Sequence, residues 1–189
     1  TQMFENYKYY IQLMNSSLQN INYEVVDNLK TKLINCYSNS KNVFICGNGG
    51  SAANANHITN DFVYGVRQKL GDGLKFYSLC ANESVTTCLA NDVGYENIFS
   101  HQINLYGEKN DLLIVLSGSG NSPNVINAIT NANNKKINTF GIIGYDGGRC
   151  IKILKETIHI PVNDMQICED IQLVIMHMVM KDLQKELKI

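Results

Sequence analysis

Asp111-Leu-Leu-Ile-Val-Leu116 runs directly into Ser117-Gly-Ser-Gly-Asn-Ser-Pro-Asn124. A short, continuous apolar run is the pattern of a strand buried on both faces, as in the middle of a parallel sheet. It stops at a loop in which three hydroxyls alternate with glycines. Pro123 then fits the first turn of a helix, where its missing N–H costs nothing. Strand, polar loop and helix together make the elementary unit of an open α/β sheet, and ligands bind at the loops on the carboxyl side of such strands.

The same unit recurs along the chain. Asn42-Val-Phe-Ile-Cys46, Leu74 to Leu79, Thr139-Phe-Gly-Ile-Ile143 and Thr157-Ile-His-Ile-Pro161 are further short apolar runs. Helical patterning fills the intervals, at about 51–66, 83–91, 95–106 and 123–136, and a last long helix is predicted from Met165 to Leu187. Before the first strand, Phe4, Tyr7, Ile11 and Met14 recur at helical spacing, as do Val25, Val26, Leu29, Leu33 and Ile34. The prediction is a three-layer α/β/α sandwich with a mainly parallel five-stranded sheet, preceded by helices over 1–40. No linker or repeat divides the chain, so 1–189 reads as one domain.

Composition narrows the function. The chain has 189 residues, 44% hydrophobic and 17% charged, with a formal net charge of −1. That balance lacks the basic surplus of a nucleic-acid binder, and no run of about 18 apolar residues offers a membrane span. Thr1 to Tyr10 does not read as a signal peptide. The six cysteines, Cys36, Cys46, Cys80, Cys88, Cys150 and Cys168, are scattered without a CxxC pair, the pattern of free thiols in a reducing cytoplasm. Arginine is scarce, with only Arg67 and Arg149. An anion must therefore be gripped largely by backbone N–H groups and hydroxyls.

Two loops are built for that task. Gly47-Asn-Gly-Gly-Ser-Ala52 follows one strand and opens a helix, and Ser117 to Ser122 does the same after another. Glycines let the backbone approach a ligand, and a helix N-terminus supplies free donors and a positive dipole end. Ser51 has two readings, a helix N-cap or a ligand contact. Neither loop is GxGxxG or GxxxxGK[ST], so no nucleotide cofactor is expected, and no GxSxG elbow points to serine-nucleophile hydrolysis.

GNGGSA at 47–52, AND-x-GYEN-x-F at 90–99 and SGSGNS at 117–122, in this order and spacing, resemble the sugar isomerase (SIS) superfamily and within it the phosphoheptose isomerases. The resemblance covers nearly the whole chain. It implies the same α/β sandwich, a phosphorylated sugar as substrate, and a homotetramer with active sites between subunits, the first helices contributing to assembly. It also implies phosphate contacts at Ser51, Ser117, Ser119 and Ser122, with Asn48, Gly49 and Asp92 nearer the rest of the substrate.

Aldose–ketose isomerisation moves a proton between C1 and C2 through an enediol, work for a carboxylate and an imidazole. His57 and Asp61 are four apart on the helix after the first loop and share a face. Glu169 and His177, eight apart on the last helix, also share one. Family members carry His and Glu at the first pair of positions and Gln and His at the second, and some hold zinc there. Here Asp61 replaces the Glu and Glu169 the Gln. Asp61 is expected as base, His177 as its acid/base partner and Glu169 as a supporting group. Zinc held by His57, Asp61, Glu169 and His177 is one expectation, and metal-free carboxylate–imidazole catalysis the other. His101 and His159 read as structural. The leading substrate is sedoheptulose 7-phosphate, giving D-glycero-D-manno-heptose 7-phosphate for lipopolysaccharide or capsule. The alternatives are an isomerase of another sugar phosphate and a non-catalytic SIS protein that senses sugar phosphates or binds a replication initiator.

Overall fold

The structure is a computed structural model that describes residues 2–66 and 73–186; Thr1, Arg67 and the expected helix end at Leu187 lie outside them. Two helices, α1 (Gln2–Gln19) and α2 (Tyr23–Ser38), lead into the sheet. There follow β1 (Val43–Cys46), α3 (Gly50–Asn60), β2 (Phe76–Ser78), α4 (Glu83–Asp92), α5 (Ile98–Tyr106), β3 (Leu112–Ser117), α6 (Pro123–Asn134), β4 (Asn138–Ile143), β5 (Glu156–His159) and α7 (Met165–Glu186). The strands are parallel, in the order β2-β1-β3-β4-β5. All five expected strands form, each within about two residues of its predicted bounds.

Every residue of β1 and β3 is buried, because each strand packs helices on both faces. Val43 and Ile45 of β1 join Leu112, Ile114 and Leu116 of β3 in one core, beneath Leu29, Leu33, Ile58, Ile171 and Ile175 of α2, α3 and α7. Phe44, Cys46, Leu113 and Val115 point the other way, against Phe99, Ile103, Val125 and Ile129 of α5 and α6. The period of two along each strand is what assigns alternate side chains to the two cores.

Chain order reverses at β1: the chain leaves it for β2 on one side and later returns to β3 on the other. The crevice above the β1–β3 boundary is the place where such folds take ligands, and both serine-bearing loops open there. At the opposite end of β3, Asp111 is completely buried. Its carboxylate accepts from the Asn42 N–H at 2.9 Å, the Glu108 N–H at 2.8 Å and Asn42 Nδ2 at 3.3 Å, which ties β3 to the start of β1.

The last helix is held to the first two by polar clamps as well as by its apolar face. The Tyr10 hydroxyl donates to Asp170, and that bond holds the phenol's pKa up at about 12. Lys30, a buried ammonium on α2, bonds Asp182 and Glu186 of α7 and pairs with Asp27. Of the first helical stripe read from the sequence, only Met14 rests on the core; Phe4, Tyr7 and Ile11 are exposed, and Tyr10, Leu13 and Leu18 pack inward instead. The described residues thus leave an apolar stripe on α1 uncovered.

Candidate active site

The loop after β1 turns at Gly49, whose φ of 55° is a left-handed value that favours glycine. Gly47 is demanded by closeness: a Cβ there would stand 2.7 Å from Ser51 Cβ and 2.8 Å from the Leu116 carbonyl oxygen, so the two loops touch at this point. Gly49 is the N-cap of α3 and offers no side-chain bond; the Ser51, Ala52 and Ala53 N–H groups donate instead to the Asn48 and Gly49 carbonyl oxygens. Ser51 is therefore not the cap that its position suggested. It lies one residue inside the helix, and its hydroxyl turns toward α7.

The serine hydroxyls share a pattern of wiring. Ser51 Oγ accepts from Gln172 Nε2 at 3.1 Å, Ser117 Oγ from the Gly120 N–H at 3.0 Å and Ser119 Oγ from the Asn121 N–H at 3.3 Å. A hydroxyl that accepts from an N–H keeps its own O–H to give away. Ser122 occupies the N-cap of α6 without a capping bond. All four serines line one cleft of about 270 Å³, with Asn48, Gly49, Gly50, Met165 and Glu169. The cleft thus combines several neutral donors with a helix N-terminus, which is what a phosphate ester requires where no arginine is present.

Asn48 is largely engaged by the protein. It exchanges two hydrogen bonds of 2.8 Å with Asn124 and accepts a third from the Tyr95 hydroxyl at 2.9 Å. One N–H remains for a ligand. Asp92, expected near the substrate, is exposed at the end of α4; it accepts from Asn91 Nδ2 and Cys88 and does not line the cleft. His101 is exposed, and His159 Nε2 lies 2.8 Å from the Tyr145 carbonyl oxygen.

Further along the same two helices, three of the four expected acid/base and metal groups converge. Asp61 Oδ2 stands 3.0 Å from His177 Nε2 and 3.5 Å from His57 Nε2, and the two imidazole nitrogens are 3.2 Å apart. Asp61 falls where α3 passes into a π-helical turn, Asp61–Gly65, a feature common at functional sites. Its Oδ2 is buried and in line with no hydrogen-bond donor. The three spacings fit a metal. Ligands about 2.0–2.1 Å from a tetrahedral zinc lie about 3.3–3.4 Å from one another, so His57, Asp61 and His177 form a matching tripod. Glu169 is not part of it. Eight residues of helix separate it from His177, a rise of about 12 Å, and its carboxylate lies instead against Gly50.

Four polar residues that hold this site went unread or underweighted in the sequence: Asn54, Tyr95, Asn124 and Gln172. Asn54 Nδ2 donates to Gln172 Oε1 and to the Glu169 carbonyl oxygen, each at 2.9 Å, which docks α3 on α7. Asn124 and Gln172 did carry a signal. Each interrupts the buried stripe of its helix, Val125, Ala128, Ile129 and Ala132 in one case and Cys168, Ile171, Ile175 and Val179 in the other. A polar residue inside an apolar stripe needs a hydrogen-bond partner.

A fold and a cleft of this kind define a SIS domain, and the SIS domain family model matches residues 6–144. The chain is 36% identical to a phosphoheptose isomerase of Fusobacterium nucleatum over 154 residues, 82% of this chain and 78% of that one. It is 35% identical to the phosphoheptose isomerase of Clostridium acetobutylicum over 164 residues, 87% and 83% of the two chains. A solved phosphoheptose isomerase from Neisseria gonorrhoeae shares the fold, with a TM-score of 0.88 over 97% of both chains at 24% identity. The chain belongs to the SIS domain family and, within it, to the phosphoheptose isomerases, which makes it an aldose–ketose isomerase of phosphosugars.

Proposed function

We propose that the enzyme interconverts sedoheptulose 7-phosphate and D-glycero-D-manno-heptose 7-phosphate. The convergence of His57, Asp61 and His177 along α3 and α7, the two helices that supply Ser51 and Glu169 to the serine cleft, is the observation on which this reading rests. The phosphate sits among Ser51, Ser117, Ser119 and Ser122, and the reacting carbons lie at the tripod. From Ser51 to His57 α3 rises about 9 Å. That is close to the span from C2 to phosphorus in an extended seven-carbon ketose 7-phosphate, seven bonds of about 1.5 Å in zigzag. A five-carbon ketose phosphate falls short by two bonds.

Asp61 takes the proton from C1 of the ketose while His177 protonates the C2 carbonyl oxygen, giving the enediol. His177 then removes the proton on the C1 oxygen, and Asp61 returns its proton to C2. Zinc held by His57, Asp61 and His177 would supply Lewis acidity at the sugar oxygens, but it would take up Asp61 Oδ2 and His177 Nε2, so the proton movements above belong to the site without the ion.

The exposed stripe of Phe4, Tyr7 and Ile11 supports assembly with further copies, for which a homotetramer with active sites between subunits is the proposed form. The six cysteines are all free, which supports a reducing, cytoplasmic setting, and among the described residues no helix is long and apolar enough to cross a membrane. The product would feed heptose for lipopolysaccharide or capsule.

The test is a panel of five-, six- and seven-carbon ketose phosphates, with aldose formation and solvent proton exchange at C1 and C2 followed by NMR. The reading expects the seven-carbon ester to turn over best, and to do so in metal-free protein. Preference for a shorter sugar would overturn the chain-length argument, and loss of activity in metal-free protein, restored by zinc, would overturn proton transfer by Asp61 and His177.

A further inference from the structure

The phosphate cleft already contains an anion. Glu169, near the start of α7, lays its carboxylate on Gly50, the first residue of α3: a Cβ added there would meet its two oxygens at 2.2 and 2.4 Å. Among the described residues, no lysine, arginine or histidine lines this cleft, and Glu169 is its one charged group. Its acidic neighbours, Asp164 just before α7 and Asp170 on it, share its sign, and Asp170 is taken up by the Tyr10 hydroxyl. What remains to attract the carboxylate is the positive dipole end of α3 at Gly50, which no side chain caps; the Ser51, Ala52 and Ala53 N–H groups bond back to the Asn48 and Gly49 carbonyl oxygens. A phosphate ester needs the same feature.

We propose that Glu169 is a resident anion which the substrate's phosphate must displace. In the free protein its carboxylate occupies the helix end. On binding, a dianionic phosphate takes that place, with the serine hydroxyls as additional donors, and the flexible Glu169 side chain turns out of the cleft. Affinity is thereby set by a difference between two anions. A neutral sugar brings nothing that competes for the helix end, whereas a phosphate dianion bonded to several hydroxyls outcompetes one carboxylate. Glu169 thus acts as a specificity-determining residue at the phosphate end of the substrate, remote from the proton transfer at Asp61.

This rests on the phosphate reading of the cleft, and one set of titrations separates the two. Inorganic phosphate, which undergoes no reaction, is titrated calorimetrically into the wild-type enzyme and into Glu169→Gln, Glu169→Asp and Ser119→Ala, with denaturation midpoints recorded with and without phosphate. Glu169→Gln keeps the shape and removes the charge, so phosphate should bind at least about tenfold tighter, a change of about 1.4 kcal/mol. The phosphate-induced rise in midpoint should grow to match. Glu169→Asp, one methylene shorter, should fall between the wild type and Glu169→Gln. Equal or weaker phosphate binding by Glu169→Gln, with Ser119→Ala still weakening it, overturns the displacement and leaves the cleft's assignment standing. Absence of phosphate binding in every form, including the wild type, overturns both.

Discussion

The two ends of β3 put polar side chains to opposite uses. At its start, Asp111 is sealed in the interior and accepts three hydrogen bonds from neighbouring backbone and amide groups. At its finish, Ser117 accepts a single bond from the Gly120 N–H and keeps its own proton uncommitted, as do Ser119 and Ser51. One end closes every hydrogen bond within the chain and spends it on stability. The other leaves donors open, which is tolerable only where a ligand or water can meet them. Stability and binding are thus separated along six residues of one strand.

That contrast can be broken in three places. The largest effect is expected at the tripod beyond the open end. Asp61→Asn should lower turnover by about a thousandfold, in the range for losing a general base, with little change in KM or denaturation midpoint. Retention of proton exchange by Asp61→Asn, together with its loss in Glu169→Gln, would transfer the base to Glu169. Next comes the closed end. Asp111→Ala strands two partly buried backbone N–H groups and should destabilise the fold by about 2–4 kcal/mol, since each orphaned donor costs about 1–3 kcal/mol. Molecules that remain folded should keep their turnover, and urea denaturation alongside assays normalised to folded protein would show it. Smaller still, Ser119→Ala and Ser122→Ala should each weaken sugar-phosphate binding by about 1.5–3 kcal/mol, as for a hydrogen bond to a charged group, and leave the urea midpoint within error. Unchanged affinity in both serine variants would mean that the open end is not the phosphate site.

The sheet was legible because its strands are buried on both faces and so appear as unbroken apolar runs, 111–116 above all. Both loops were legible through the coincidence of glycine and serine after such runs. Asp61 and His177 could be matched by position, although no spacing argument showed that side chains from two distant helices would come within 3.0 Å of each other. The remainder depended on tertiary pairing. Asn48 with Asn124, and Ser51 with Gln172, join residues far apart in sequence, and nothing local announces such partners. Of the two readings open for Ser51, the cap falls away because Gly49 is a backbone-only N-cap, which leaves no mark in sequence beyond another glycine. Glu169 was expected beside His177 because both lie on one face of α7; a common face does not bring together groups about 12 Å apart along it.

The division of the site between α3 and α7 also has a consequence for the order in which a nascent chain acquires its properties. A ribosome that has just released β5 has made all five strands and both serine loops, but neither Gln172, which aims Ser51, nor His177. At that stage the apolar faces of α2 and α3 still await Ile167, Ile171, Ile175, Val179 and Leu183. Exposed surface of this kind is what makes incomplete domains stick to one another. The helix that ends this exposure is the same one that delivers the imidazole. Site and core are therefore completed together by α7, and a chain stalled before it carries both serine loops but neither His177 nor the helix that covers the apolar faces of α2 and α3.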